Sequence, residues 1–542
     1  MEARVTEAPA APPRLRDFID RATSPSGLFL CAALLITLLP ITSIVHDPDF
    51  WWHLRAGQLI LAHGGLLSTD PFTFTVPTHT WTMHEWLTEV LYAMLLSAAG
   101  LGIIVLLLSL VTWLGIVCIG LRAALRAPNR IVLGVGLLLA AVAGYPIWGP
   151  RVQMVTFCFS ALTLLLLERH LVRGGRLIWL LVPLFLVWSN LHSGFIIGLA
   201  FIALVLVAEA AGRWLRFPDP ASPQRARTLL FVLLACAAVS MINPNGPAIL
   251  AYAFFTQGSG AQQSLIVEWH SPNFQDAVVL PFGCMLVSLI AMIAVNRRIR
   301  ARDALLVATT TALALQSVRH IAIFLAAATP VWIDQASMIA ARARWDRRSR
   351  PHRAPPLGFR LITFSALAGG ILCGYAAGRL VPSMQVQPNT LTYAREYPVC
   401  AARWLAAAPQ PLRIFNQYGE GGYLAGALSA KGDKIYIFGD AALMGDPLLY
   451  RYASITTVQP GWSDAIRSSG ADLVLYDVNT PLANAMAASA AWVQVYRDPL
   501  SVAFVPAGRL GQVQLPPVPT YPAGDTCTEL AKGPADPGAQ NR

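Results

Sequence analysis

The chain has 542 residues, of which 55% are hydrophobic and only 13% are charged, and its formal net charge is +11 at pH 7. Soluble domains carry about 25% charged residues, so this composition excludes an ordinary soluble protein. Apolar runs close to the roughly 20 residues that cross a bilayer recur along most of the chain, which predicts a polytopic membrane protein. Nucleic acid is not indicated as a partner, because the arginines are concentrated in the links between apolar runs.

A polytopic protein with about 11 transmembrane helices is predicted. The spans are 28–45, 101–121, 131–148, 153–167, 177–189, 195–211, 228–243, 277–295, 303–318, 321–333 and 359–380. If 87–100 crossed separately, the next five arginine clusters would change sides, so the positive-inside rule favours a single crossing for 87–121. The N-terminus is then cytoplasmic and the C-terminus outside. Segment 87–100 lies at the outer surface or continues a broken helix kinked near Gly100.

The predicted domain organisation follows from these spans. It has a cytoplasmic N-terminal segment (1–27), a transmembrane domain (28–383) with a long outer loop (46–86), an extracytoplasmic α/β domain (384–525) and a disordered tail (526–542). Five short apolar stretches in the α/β domain are predicted strands: "RIFNQ", "KIYIFGD", "LVLYDV", "WVQVYRD" and "VAFVP". Helices are predicted at 395–408 and 481–490. Gly419, Gly421 and Gly422 are predicted to open a helix packed on a strand, without matching a phosphate-binding fingerprint.

The first outer loop begins with "HDPDFWWHLRAGQ". A short helix over 50–63 is predicted, ended by Gly64 as a glycine C-cap. Its tryptophans, Trp51 and Trp52, are expected at the level of the lipid headgroups. Asp49 is a candidate helix cap, but one cap does not need both Asp47 and Asp49. A carboxylate at the membrane boundary is costly unless it is paired or used, so both are candidate functional residues.

The other predicted outward links hold most of the polar groups capable of chemistry, and together they predict a site on the outer face. Arg151 and Arg319 with His320 are candidate phosphate-binding residues, since guanidinium matches phosphate oxygens in bidentate fashion. The alternative is that each arginine pairs with an outer carboxylate or reaches lipid headgroups. The candidate substrate-cavity residues are His53, His84, Asn190, His192, Glu268 and His270.

These residues carry a family resemblance. The segments "DPDFWWHL", "HEWL", "RVQ", "NLHSG", "NPNG", "EWHSP", "RHI" and "FNQYGEGGYL" resemble the pattern of a largely uncharacterised bacterial group within the GT-C superfamily of membrane glycosyltransferases. The resemblance implies sugar transfer from a polyprenyl-phosphate carrier to an extracytoplasmic glycan, lipid or protein at a bacterial inner membrane. Asp47 or Asp49 resembles the superfamily's acidic residue, which acts as base on the acceptor or orients it. Glu85 is a candidate second carboxylate.

Two rival functions are compatible with the sequence. A transporter or flippase of a lipid-linked glycan should carry ionisable groups at mid-membrane and show repeat symmetry, and neither pattern is evident. A non-catalytic assembly subunit with the same fold is harder to separate from an enzyme. Some GT-C relatives need a divalent cation, but no residue spacing here matches a metal-ligand set, so no metal ligand is assigned.

The cysteines divide into two groups. Six fall in or at the edges of the predicted spans and are interpreted as small apolar residues. Cys400 and Cys527 both lie on the predicted outer side, where disulfides form. A disulfide between these two cysteines is therefore predicted.

Overall fold

The computed structural model describes residues 15–126, 128–214, 222–343 and 355–532. The described chain is mainly helical, with one small sheet near its C-terminal end. Its first helices are α1 (Leu15–Ala22), α2 (Pro25–Ile36), α3 (Leu38–Ile41), α4 (Asp49–His63), α5 (Trp86–Ala99), α6 (Leu101–Ala124), α7 (Arg130–Ala143), α8 (Gln153–Arg173) and α9 (Leu181–Leu191).

The helices that follow complete the membrane part. They are α10 (Phe195–Trp214), α11 (Pro223–Ser240), α12 (Ala248–Gly258), α13 (Gly260–Leu265), α14 (Leu280–Asn296), α15 (Ala301–Gln316), α16 (Ile321–Arg342), α17 (Leu357–Tyr375) and α18 (Val381–Gln385). A π-helical turn, Ala376–Leu380, joins α17 to α18.

The chain is a multi-pass membrane protein. Five described helices are long and apolar enough to cross a membrane, and a sixth span results if the bent pair Arg16–Ala22 and Pro25–Ile41 counts as one. The five are Leu101–Ala124, Gln153–Arg173, Phe195–Gly212, Val318–Arg342 and Leu357–Gln385. Shorter apolar helices of 10–17 residues accompany them. The count of about 11 spans stays a prediction.

Segment 87–100 belongs to a broken helix. Helix α5 ends at Ala99 and α6 begins at Leu101, so only Gly100 separates them. Gly100 has φ +75°, a backbone conformation that glycine adopts without the steric cost of a Cβ atom. The predicted break near Gly100 is therefore present, and the position of this segment at the outer surface stays a prediction.

Arginines of the predicted cytoplasmic links form ion pairs with buried carboxylates at one end of the helices. Arg126 lies 3.0 Å from Glu168 and 2.8 Å from Asp303, and Arg302 lies 2.8 Å from Glu209. The side chains of Arg126 and Glu168 are each 2% exposed. Breaking a buried ion pair by removing one partner costs about 3–5 kcal/mol. This network, which was not predicted, therefore ties together the ends of α6, α8, α10 and α15.

The C-terminal region is built on a five-stranded sheet. The strands are β1 (Arg413–Asn416), β2 (Lys434–Ile435), β3 (Leu473–Asp477), β4 (Trp492–Arg497) and β5 (Ser501–Pro506). Their order is β2-β1-β3-β5-β4. Strand β1 is parallel to β2 and β3, whereas β5 is antiparallel to β3 and β4. Four of the five predicted strand stretches form strands over most of their length, whereas "KIYIFGD" forms a strand only at Lys434–Ile435.

Short helices surround this sheet. They are α19 (Leu391–Ala394), α20 (Val399–Ala406), α21 (Gly421–Leu428), α22 (Ala441–Met444), α23 (Asp446–Thr456), α24 (Trp462–Ser469), α25 (Pro481–Ala487) and α26 (Thr526–Lys532). Helix α26 lies where the sequence predicts the start of a disordered tail. The rest of that tail, 533–542, and the N-terminal residues 1–14 lie outside the described residues.

The cysteine pair anchors α26. Cys400 in α20 and Cys527 in α26 form a disulfide, with their Cα atoms 5.7 Å apart and 127 residues between them in sequence. Arg403 adds an ion pair to Asp525 at 2.9 Å. The last described residues are thereby held against the C-terminal region.

The first outer loop adds to the edge of the sheet. Its extended stretch forms a parallel bridge between Thr73 and Ile435 of β2. Phe74 donates its N–H to Ile435 O at 3.1 Å, and Ile435 donates its N–H to Phe72 O at 3.0 Å. Buried apolar residues of the loop and of the C-terminal region also form one continuous cluster. These two parts, far apart in sequence, therefore share a core.

Helix α4 runs from Asp49 to His63 and ends at Gly64, which has φ +70°, as predicted. The expected position of its tryptophans at the lipid headgroups is wrong. Trp51 is 6% exposed and Trp52 is 3% exposed. The ring of Trp51 contacts Tyr423 edge-on at 5.6 Å, and that of Trp52 contacts Phe438 at 5.3 Å. Both side chains are therefore part of the protein core rather than of a membrane interface.

The glycines of "GEGGYLAGAL" allow α21 to lie directly against α4. A Cβ atom on Gly422 would lie 2.1 Å from Pro48 O, and one on Gly421 would lie 2.2 Å from Ile437 O. The predicted packing of this helix against a strand segment is therefore present at Gly421. The contact between Gly422 and the first outer loop was not predicted.

We expect Gly422→Ala to destabilise the protein by about 1–3 kcal/mol, the usual cost of overpacking a close contact, because Pro48 O is backbone and cannot rotate away. Gly508→Ala is the matched control, since no atom lies within 4 Å of a Cβ at Gly508. The measurement is the apparent melting temperature in detergent. Equal melting temperatures for both variants would show that α4 and α21 are not closely packed.

Candidate active site

A cavity of about 640 Å³ lies where the first outer loop, several helix ends and the C-terminal region meet. Small-ligand pockets have roughly 300–1,000 Å³. The predicted functional residues that line this cavity are Asp47, Asp49, His53, His84, Glu85, Arg151, His192, Glu268, Arg319 and His320. The structure therefore brings together side chains from six separate segments of the sequence.

Two predicted cavity residues are not in its lining. Asn190 accepts a hydrogen bond from Trp86 Nε1 at 2.9 Å and donates to Ile242 O at 3.0 Å. His270 is exposed, and its Nε2 lies 3.1 Å from Ser264 O. Asn190 of α9 thus links this helix to Trp86 of α5 and to the chain after α11, whereas His270 fixes its own loop. The sequence indicates their side of the membrane but not the direction in which each side chain points.

Arg151 bridges two carboxylates of the cavity wall. Its Nη2 donates to Glu268 Oε1 at 2.5 Å, and its Nε lies 3.4 Å from Asp47 Oδ2. Asp47 Oδ1 also accepts the backbone N–H of Asp49 at 3.2 Å. The alternative that Arg151 pairs with outer carboxylates is therefore the arrangement observed. Asp47 is the better-satisfied of the two aspartates, because both of its oxygens have partners.

Asp49 occupies a different environment. Its Oδ1 accepts a hydrogen bond from Trp52 Nε1 at 3.0 Å, and part of its surface remains open to the cavity. Gly439 packs so tightly on the carboxylate that a Cβ there would lie 1.6 Å from Asp49 Oδ1. Burial raises the pKa of Asp49 to about 7, and the neighbouring Asp47 adds to the rise. Asp49 is not the N-cap of α4, because Pro48 holds that position.

Glu85 lies among three histidines. Its Oε2 is 3.0 Å from His53 Nε2. Its Oε1 is 3.2 Å from His84 Nε2 and 3.3 Å from His192 Nε2. The other nitrogen of His53, Nδ1, lies 3.2 Å from Glu89 Oε1. Because residues 84 and 85 follow each other, whereas 53 and 192 come from other segments, this grouping cannot be read from spacing.

The protonation states in this histidine cluster follow from its contacts. Burial alone would raise the pKa of Glu85, but the histidines, His53 first, hold it well below its usual range. Burial also opposes the cations of His53 and His84, yet Glu85 raises the pKa of both. Burial lowers the pKa of His192 to about 4. Its Nδ1 accepts the Gly194 N–H at 2.8 Å, so the neutral ring donates from Nε2 to Glu85.

We expect Glu85→Gln to destabilise the protein by about 3–5 kcal/mol at neutral pH, because it removes the counter-charge of a buried ionic cluster. The loss should shrink as pH rises through the raised pKa of His53, where the imidazolium disappears. Melting temperatures in detergent from pH 6 to 9 measure this effect.

The control for this variant is Glu396→Gln. Glu396 also pairs with a histidine, His46 Nδ1 at 2.8 Å, but both side chains are more than a third exposed. An exposed pair contributes about 0–1 kcal/mol, so the control should melt close to the unsubstituted protein. If Glu85→Gln melts at the same temperature as the control, the cluster is not ionised.

Arg319 is placed differently from Arg151. Its guanidinium carbon lies 4.7 Å from the ring centre of Trp269, and within the described ranges it forms no ion pair. Arg319 and His320 directly precede α16, whose first residue is Ile321. The N-terminus of a helix favours negative charge. Arg319 therefore adds a cation that no described carboxylate pairs with directly, beside a helix end that favours anions.

The C-terminal region contributes a wall that the sequence did not assign to the cavity. Tyr418, Gly439 and Asp440 are among its lining residues. Asp440 is 6% exposed, accepts from Trp81 Nε1 at 2.8 Å and caps α22 through Leu443 N–H at 3.1 Å. The sequence signal for this wall is the cluster of glycines around Tyr418 and before Asp440. Glycines allow another segment of the chain to approach the backbone closely.

The arrangement does not form a metal centre in the described part of the chain. No group of three or more His, Cys, Asp or Glu side chains there is arranged to hold a metal ion. Around Glu85, each of the three histidines directs its Nε2 toward a carboxylate oxygen. The nitrogens that could ligate a metal are therefore engaged with that carboxylate.

Solved structures of other proteins resemble the fold of this chain. No protein-family model and no curated protein matches the sequence. The oligosaccharyltransferase AglB from Archaeoglobus fulgidus, solved with an inhibitory peptide and a dolichol-phosphate, matches with a TM-score of 0.50 and 13% identity over 83% of this chain and 69% of that chain. The same archaeal enzyme tethered to an acceptor peptide matches with a TM-score of 0.52 and 14% identity over 83% of this chain and 68% of that chain.

A bacterial structure also matches, with a lower score. ArnT from Cupriavidus metallidurans bound to undecaprenyl phosphate has a TM-score of 0.44 and 14% identity, covering 91% of this chain and 100% of that chain. At these identities the likeness extends to the fold alone. The chain therefore shares its overall fold with the archaeal oligosaccharyltransferase structures.

Proposed function

We propose that this protein is a membrane glycosyltransferase that moves a sugar from a polyprenyl-phosphate donor to an acceptor on the outer face of a bacterial inner membrane. The proposal rests on the observation that two groups with complementary roles line the same cavity. Asp49 is a carboxylate with no cationic partner within ion-pair distance in the described residues, and Arg319 is a cation with no anionic partner there. Sugar transfer needs a base at the acceptor and positive charge at the leaving phosphate.

Asp49 is the proposed general base. The acceptor hydroxyl oxygen attacks the anomeric carbon, and the hydroxyl proton passes to the Asp49 carboxylate. The bond between the anomeric carbon and the phosphate oxygen breaks, and that oxygen keeps the electron pair. A base is most effective when its pKa is near the working pH, which favours Asp49 with its pKa of about 7. Asp47 is tied to Arg151, and Glu85 to three histidines, so both position their neighbours.

Arg319 is the proposed partner of the departing phosphate. The face of Trp269 holds its guanidinium in place, and the N-terminus of α16 adds the favourable end of a helix dipole. His320 Nδ1 is buried without a hydrogen-bond partner among the described residues, so it offers a further polar contact. Arg151 is a weaker candidate for phosphate, because Asp47 and Glu268 already neutralise it.

The remaining lining suits a lipid-linked donor. Part of the wall is apolar, with Ile196, Ile197, Ala200, Leu313 and Ile323 from α10, α15 and α16. Such a wall would hold the first isoprene units of a polyprenyl chain by burying their apolar surface. The α/β domain, through Tyr418, closes the opposite side. We propose that an extracytoplasmic glycan, lipid or protein acceptor enters between Tyr418 and the first outer loop.

The test uses the purified protein in lipid nanodiscs. Native mass spectrometry measures binding of undecaprenyl phosphate, and a transfer assay follows label from undecaprenyl-phosphate-linked sugars into a bacterial envelope extract. Binding together with transfer is expected. Movement of the intact lipid-linked sugar between leaflets of a proteoliposome, without cleavage of the sugar–phosphate bond, would instead identify a flippase. Binding of partner proteins without cleavage or movement would identify an assembly subunit.

A further inference from the structure

A second cavity, of about 480 Å³, lies between α2–α3, α7 and the π turn. Its lining comes from residues 36–40, 138–142 and 378–379, and none of these residues lines the candidate active site. Its volume is within the roughly 300–1,000 Å³ of small-ligand pockets. We call it the peripheral groove.

The walls of the peripheral groove are apolar and open outward. Ile36 is 39% exposed, Leu39 is 43% exposed and Val142 is 47% exposed. The hydroxyl of Thr37 donates to Leu34 O at 2.6 Å, so it does not offer its proton to the groove. In a multi-pass membrane protein, exposed apolar side chains on such helices face acyl chains. The walls therefore suit a hydrocarbon chain.

Arg379 is the one charged residue in the groove lining. Its Nε donates to Thr42 O at 2.7 Å, and it forms no ion pair with any described residue. A guanidinium carries five N–H donors, so the groups on Nη1 and Nη2 are available to a ligand. A cation beside apolar helices is costly unless an anion accompanies it. The positive charge of Arg379 therefore favours an anionic headgroup at this end of the groove.

The backbone around Arg379 is adapted to leave space. Residues Ala376–Leu380 form a π turn between two α-helices, an irregularity that is frequent at functional sites. Gly378 in this turn has no atom within 4 Å of where its Cβ would lie. The groove is therefore open beside the cation.

We propose that the peripheral groove binds an anionic glycerophospholipid, with an acyl chain along α2–α3 and α7 and the phosphate at Arg379. Arg379 also holds Thr42 O, and Tyr375 OH lies 2.8 Å from Thr42 Oγ1. Thr42 begins the short segment that leads to Asp47 and the candidate active site. A lipid bound at Arg379 thus supports the base of the first outer loop, whether or not the protein transfers sugar.

The test is native mass spectrometry of the purified full chain titrated with phosphatidylglycerol or phosphatidylcholine. Arg379→Gln removes the cation, and Val142→Trp fills the groove without touching Arg379. Arg395→Gln is the matched control, because Arg395 is an exposed arginine outside the groove lining. Phosphatidylglycerol should bind about tenfold more weakly to Arg379→Gln, because a charge-assisted contact is lost. It should also bind more weakly to Val142→Trp, because the added ring takes the space of the acyl chain, and its binding to the control should be unchanged. Melting temperatures confirm that each variant is folded.

Several outcomes would overturn the proposal. If Arg379→Gln and Val142→Trp, both folded, bind phosphatidylglycerol as tightly as the unsubstituted protein, the lipid lies elsewhere. If phosphatidylcholine binds as tightly as phosphatidylglycerol, Arg379 does not select an anion. If undecaprenyl phosphate displaces the phospholipid competitively, and Arg379→Gln abolishes that competition, the groove holds the polyprenyl carrier instead.

Discussion

Asp49→Asn should lower the rate of sugar transfer by about 10²–10⁴-fold, the usual contribution of a general base, while undecaprenyl phosphate still binds. Asparagine keeps the size of the side chain and can still accept the Trp52 Nε1 hydrogen bond, but it cannot accept the proton of the acceptor hydroxyl. The measurement is transfer from undecaprenyl-phosphate-linked sugar at saturating donor, alongside donor binding by native mass spectrometry.

The dependence of the transfer rate on pH provides a second, independent test of Asp49 as the base. The base must be ionised, and the pKa of Asp49 is raised to about 7, first by burial and then by Asp47. Activity should therefore be constant above pH 7 and fall about tenfold per pH unit below it. Asp276→Asn, at an exposed aspartate that does not line the cavity, should leave both rate and profile unchanged. A fully active Asp49→Asn protein would exclude Asp49 as the base.

Arg319→Ala should weaken binding of undecaprenyl phosphate by about 10- to 100-fold. A hydrogen bond to a charged group contributes about 1.5–3 kcal/mol, and each 1.4 kcal/mol is a factor of ten in affinity. Arg319→Lys should recover only part of the affinity, because lysine keeps the charge but loses the planar fork of donors and its stacking on Trp269. Native mass spectrometry with increasing lipid gives the dissociation constants.

The same titration separates phosphate binding from general loss of positive charge. Arg395→Ala removes an exposed arginine that does not line the candidate active site, so its affinity should equal that of the unsubstituted protein. If both substitutions weaken lipid binding equally, the affinity depends on the overall positive charge of the protein and not on Arg319. No weakening by Arg319→Ala would move the phosphate site to Arg151.

The sequence predicted those structural elements that are specified by residues close together in the chain. The alternating strands, the end of α4 at Gly64 and the break at Gly100 depend on residues within a few positions of each other. It also indicated which loops hold the polar groups, because arginine distribution reports the side of the membrane. What the sequence predicted is therefore the set of candidate residues, and the structure places most of them around one cavity.

The pairings between those residues could not be predicted. Trp51 meets Tyr423, which follows in sequence after more than half of the chain, so no periodicity links them. Arg151 and Arg319 look alike as isolated outer arginines, yet one bridges two carboxylates and the other stacks on Trp269. Such choices depend on which side chains the folded helices and loops bring into contact. Only the folded chain determines them.

The shared core of the first outer loop and the C-terminal region has a consequence for biosynthesis. Thr75 of the loop donates to Tyr436 O, a partner 361 residues later. At roughly 5–20 residues per second of translation, the loop is synthesised about 20–70 s before this partner. During that interval Trp51 and Trp52 lack the C-terminal residues that cover them, so the nascent chain exposes apolar surface that is prone to aggregate. The lining of the cavity is complete only after Ala442 has been synthesised.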